Sequence, residues 1–134
     1  QKLSKKPITL VGDGHQSRDY VHVKDVANAF YLAAISKHKN QVFNLGSNKP
    51  IKINEIIKIL KPKKIEKIPN RPGEPRKTHA NIGKIKKMLG WKPEISFKDG
   101  FIDLLKNIDD WKKAPLWDRK SIKKATKDWF KYLA

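Results

Sequence analysis

Cysteine is absent from the 134 residues. No disulfide framework and no thiolate metal site can therefore be built, and a reducing, cytoplasmic setting fits. No run of about 18 apolar residues occurs, so no segment reads as a membrane span, and no secretory signal pattern is present. The four histidines, His15, His22, His38 and His79, lack ligand spacing such as HxxxH. Methionine occurs once, at Met88, and the chain begins with glutamine; it reads as a piece of something longer. Arginine is the other scarcity. Of 31 basic residues, four are arginines: Arg18, Arg71, Arg76 and Arg119.

The length suits one domain with a core of its own, and 38% apolar residues lies outside the disordered range. The net charge of +18 invites a nucleic-acid reading. Against it, lysines are scattered over nearly every segment, and no RNP-like aromatic pattern or zinc-finger spacing exists. A non-enzymatic basic module for nucleic acid or anionic membrane stays as the alternative from another class.

The arginines carry more information. Segments 12–23 and 70–77 hold Arg18, Arg71 and Arg76 beside one lysine, Lys77. Lysine serves equally for solvated charge, whereas arginine supplies a planar fork that grips carboxylate or phosphate with two parallel bonds. The two segments read as an anion-binding site.

Along the chain, 7–12 and 18–23 read as strands about an Asp13-Gly14 turn. Residues 24–36 place Val26, Ala29, Phe30, Ala33 and Ala34 at helical spacing, with Asp25 near the start. Residues 41–46 read as a strand and 52–61 as a helix stopped by Pro62, with Asn54 a possible N-cap. Segment 64–69 could be an edge strand, and 70–77 is a loop. Helices follow at 81–90 with Gly90 as C-cap, at 96–111 with Ser96 as N-cap, and at 121–133 with Ile122, Thr126, Trp129 and Leu133 on one face. Trp91 and Trp129 read as packing residues. The alternation suits an α/β fold of short strands plus several helices.

Two catalytic-looking patterns are rejected. "GDGHQS" resembles a phosphate-cradling glycine loop, but such a loop must open a helix, and β-type residues follow here. Tyr20 and Lys24 match a YxxxK spacing, which on a helix spans about 6 Å and shares a face. On a strand it spans about 13 Å, too far for the lysine to act on the tyrosine.

"GDGHQSRDYVHVKDVANA", "VFNLGSNKPIKINEI" and "NRPGEPRKTHANIGKIKKMLGWKP" resemble, in this order and spacing, the C-terminal half of extended short-chain dehydrogenase/reductases. These are the NAD-dependent nucleotide-sugar epimerases and dehydratases. The resemblance runs from about residue 8 to residue 104 and is weaker beyond. It implies the substrate-binding lobe of an enzyme whose Rossmann half, with the NAD loop and the catalytic tyrosine and lysine, lies outside this chain. Residues 8–46 would pack on that half, 47–110 form the substrate lobe, and 111–134 a helical tail. The family's arginine of "RDY" corresponds to Arg18, a grip on the substrate diphosphate, with Tyr20 near the nucleotide base. Arg71 corresponds to the second clamp, and Glu74 to the acid that takes the ribose hydroxyls. Gln16 and Arg76 are supporting residues. No residue here is expected to be catalytic, to bind the cofactor or to hold a metal.

The resemblance further implies a UDP- or dTDP-linked sugar as partner, a homodimeric parent, and hydride transfer through a 4-keto intermediate. A 4-epimerase is favoured, and a 4,6-dehydratase is the alternative. Each site residue also has a plainer reading. Arg18 could pair with Asp19 or Asp25, Tyr20 could be core, Arg71 could be solvated, and a lysine could neutralise Glu74.

Overall fold

The structure, a computed structural model, describes residues 1–133. Its order is β1 (Ile8–Val11), β2 (Ser17–Arg18), α1 (Val23–Ile35), β3 (Ile51–Lys52), α2 (Ile53–Leu60), β4 (Ile65–Ile68), α3 (Gly83–Leu89), α4 (Phe97–Lys106), a 3-10 turn at Ile108–Trp111, α5 (Arg119–Ala125) and α6 (Lys127–Tyr132). This is the expected α/β mixture of short strands and several helices. The residues form two compact units. The first takes Gln1–Gln16, Lys52–Arg76 and the chain from Asn107 onward; the second takes Ser17–Ile51 and Lys77–Lys106.

In the first unit β1 and β4 run parallel, in register from Ile8 opposite Ile65 to Val11 opposite Ile68. Their alternation buries Leu10 and Ile68. The strand-turn-strand expected at 7–23 is corrected. The turn exists, with Gly12 and Gly14 at positive φ, but β1 pairs with β4 and β2 with β3. Strand character also stops at Arg18, because the segment after it serves the start of α1. At Gly14 a side chain is excluded: a Cβ would lie 2.2 Å from Asn54 Oδ1. Asn54 is not the N-cap of α2. It sits in the first turn, where its backbone N–H donates to the Gly14 carbonyl and its amide to that of Asp13. Glu55 instead accepts from the Lys52 N–H, and Lys61 closes the helix in the left-handed region ahead of Pro62.

The helix expected at 121–133 is two. Asp118 caps α5, accepting the Ser121 N–H at 2.9 Å, and the Thr126 hydroxyl returns to the Ile122 carbonyl at the break. That bond competes with the helical ladder. The 96–111 helix likewise stops at Lys106, with its Ser96 cap as expected (Asp99 N–H to Oγ, 3.1 Å).

In the second unit Ala29, Ile85 and Trp91 form the core, with Val21, Leu32, Phe43, Leu45, Ile82 and Leu89 against them. The Trp91 indole N–H donates to the Asp25 carbonyl at 2.9 Å, and the Asp25 carboxylate accepts the N–H groups of Glu94 and Ile95. Gly90, at φ 66°, ends α3 as expected.

The strand expected at 41–46 is not one. Its alternation is real, since Phe43 and Leu45 pack inward while Val42 is exposed, but no other strand hydrogen-bonds it among the described residues. Phe30 and Ala34, two of the residues at helical spacing in this segment, are also exposed. With Val23, Ala27 and Tyr31 they make an apolar stripe along α1 at helical spacing. A dye that reports exposed apolar surface should bind this chain, and replacing Phe30 and Tyr31 by serine should remove most of the signal. Undiminished fluorescence in that variant would place the patch elsewhere.

Candidate functional site

In the first unit β4 delivers the chain to the loop 69–77, which carries Arg71, Glu74 and Arg76. Arg71 forks onto Glu74, Nε to Oε2 at 2.8 Å and Nη2 to Oε1 at 3.1 Å. Its guanidinium carbon lies 5.4 Å from the centroid of the Trp129 ring, whose N–H donates to the Pro72 carbonyl. Arg71 is therefore held by a carboxylate and an aromatic face before any ligand arrives. It lines a cavity of about 650 Å³. Trp129 was expected only to pack. It is instead 36% exposed, and it orients Arg71.

Arg76 forks onto Asp13 at 3.3–3.4 Å, a structural role. The His15 N–H and then Arg76 hold the Asp13 carboxyl below its usual range. Gln16 donates to the Val11 carbonyl at 2.9 Å, while its Oε1 is buried with no partner among the described residues.

In the second unit Arg18 lies in β2 and donates from Nη1 to the Ser17 carbonyl at 2.9 Å. Tyr20 follows in an extended stretch, its ring 5.2 Å from that of Phe97, which stacks on Phe101. Burial pushes the Tyr20 hydroxyl above its ordinary value, against the lowering charge of Arg18. The rejected Tyr20–Lys24 pair is not on one strand, as expected, but straddles the start of α1, where His22 is the N-cap. It shares no helix face either.

Asp19 is the residue that sequence reasoning passed over. It accepts from the Ser47 N–H and hydroxyl at 2.6 Å each and from the Ala80 N–H at 3.0 Å, fixing the backbone beside Arg18. Burial raises its pKa, but these donors outweigh burial and hold the carboxyl below the usual aspartate range. A carboxylate depressed in the folded state contributes stability that is present above the unfolded pKa and is lost as pH falls through the folded one. Asp19→Asn should therefore melt lower at pH 7 and lose less on acidification below about pH 4 than the parent does. Parallel acid limbs for the two proteins would remove Asp19 from this role.

The family described as GDP-mannose 4,6 dehydratase matches residues 1–104. A UDP-glucuronate 4-epimerase of Thermodesulfobacterium geofontis is 39% identical over 124 residues, covering 88% of this chain and 37% of the relative. The structure of UDP-glucose 4-epimerase with UDP-glucose from Thermotoga maritima superposes with a TM-score of 0.75 at 33% identity, over 81% of this chain and 37% of that one. That of UDP-glucuronic acid 4-epimerase from Bacillus cereus, with UDP-glucuronic acid and NAD, gives 0.73 at 30%, over 81% and 38%. The chain belongs to the NAD-dependent nucleotide-sugar epimerase and dehydratase family. It spans little more than a third of the length of these relatives.

NAD is the cofactor bound in the Bacillus cereus relative. The glycine turn of this chain does not form a dinucleotide loop for it. Gly12 to Ser17 runs into β2 rather than a helix N-terminus, and Asp13 in that turn is held by Arg76. No group of three or more metal-ligating side chains and no helix able to cross a membrane occurs among the described residues.

Proposed function

We propose that this chain is the nucleotide-sugar-binding portion of an NAD-dependent sugar-nucleotide epimerase, 4-epimerisation being the reaction it serves. The observation that carries this reading is Arg71, pre-oriented by Glu74 and Trp129 on the wall of a cavity. A diphosphate brings more charge to the Arg71 fork than one carboxylate does. Its arrival moves the fork from Glu74 to phosphate, and Glu74 is released to accept the ribose hydroxyls. On the same reading Arg18 serves as a diphosphate grip and Tyr20 as a residue near the base. These residues bind and orient a UDP- or dTDP-linked sugar; they move no proton and no hydride. The family match to 4,6-dehydratases favours dehydration as the second reading.

Isothermal titration of the intact protein with UDP-glucose should give saturable, one-to-one binding. UDP alone should retain much of that affinity, and glucose should show none. No heat from either nucleotide would overturn the proposal.

A further inference from the structure

The cavity beside Arg71 is closed on its other side by α5 and α6, which lie beyond the residues matched by the family. Two of its cations already hold carboxylates: Arg71 on Glu74, and Arg119 on Glu66 at 3.2 Å. Lys120, Lys123, Lys124 and Lys127 also line it and make no ion pair among the described residues. Lys120, Lys123 and Lys124 stand at i, i+3 and i+4 on α5, the spacing of one helical face, and Lys127 opens α6. Four like charges around one cavity repel each other, and an anion with several charges relieves that repulsion. The remaining wall is apolar, from Ile68 and Pro69 to Ile122 and Phe130. Cations beside an apolar wall match a ligand that is charged at one end and planar and weakly polar at the other.

We propose that the helical tail completes a nucleoside-phosphate site in this cavity. Lys123 and Lys127 hold phosphate oxygens together with Arg71, and Ile122 and Phe130 face the nucleoside. The ligand's identity rests on the nucleotide-sugar reading, through Arg71; the new element is that residues 119–130 set affinity for the nucleotide end.

The test is calorimetry on the intact protein with UDP, UDP-glucose and inorganic pyrophosphate. Lys123→Gln/Lys127→Gln should weaken UDP at least about tenfold. The matched change Lys2→Gln/Lys5→Gln, at a second lysine-lined hollow, should leave it within about twofold, since screened distant charge adds little. Phe130→Ala should weaken UDP and leave pyrophosphate unchanged. Unaltered UDP affinity in the Lys123/Lys127 variant overturns the inference. So does an equal loss in the Lys2/Lys5 variant, which would be general attraction to a basic protein. If the Lys123/Lys127 variant is unaltered while Arg18→Lys weakens UDP-glucose, the nucleotide-sugar reading survives without the tail. If the Lys123/Lys127 variant loses UDP and Arg18→Lys changes nothing, the cavity site stands and the Arg18 clamp falls.

Discussion

Trp91→Ala is expected to cost about 3–5 kcal/mol, the range for emptying an aromatic site in a core. Trp91 is 1% exposed and touches the core through Ala29 and Ile85. Its loss opens a cavity in the centre of the second unit and strips the Asp25 carbonyl of its donor. With roughly 4 °C or more of melting temperature per kcal/mol, the midpoint should fall by more than about 10 °C. Trp91→Phe should recover part of the loss, because volume returns and the N–H does not. A shift of only a degree or two in the alanine variant would mean that this core is not what holds α1 to the 81–95 segment.

The second large effect is on binding. Arg71→Lys in the intact enzyme should raise KM for the nucleotide sugar about tenfold with kcat nearly unchanged, the pattern for lost uniform binding. Lysine keeps the charge but loses both the fork onto phosphate and the planar face over Trp129. Arg18→Lys should act in the same direction. Unchanged kinetics in both variants would end the clamp assignment. Glu74→Gln is the informative partner: it loosens Arg71 and also removes one of the two acceptor oxygens proposed for the ribose hydroxyls. Its penalty should therefore be larger for a ribonucleotide than for inorganic pyrophosphate.

What was legible in the sequence follows the range of the forces involved. Local signals held. Gly90 ends α3, Ser96 caps α4, and the 3.6-residue period located α1, because each depends on residues within one turn. Pairing was not legible. Residues 41–46 alternate as a strand does, yet strand identity needs a neighbour, which no local pattern names. The Asp13-Gly14 turn suggested a hairpin, while the partner of β1 lies 57 residues on, at Ile65 opposite Ile8. The scarcity of arginine was a sound pointer to forks, but it could not say which carboxylate or phosphate they meet. Arg71, Arg76 and Arg119 each meet an acid of this chain. The i,i+3 spacing of Arg71 and Glu74 was readable in principle; the contribution of Trp129, which belongs to the tail, was not.

The path of the chain has a consequence for how the molecule is made. The first unit is assembled from three separate stretches and the second from two. The strand Ile8–Val11 gains its neighbour only after Ile68 emerges, and the cavity beside Arg71 has no far wall until residues 119–130 are synthesised. Closing such long loops costs entropy before any contact compensates it, which slows folding. A nascent chain stopped at residue 106 would carry every segment of the second unit and lack the third stretch of the first. Arrested chains of increasing length should thus acquire protease resistance in two steps, the later one only when α6 has cleared the exit tunnel.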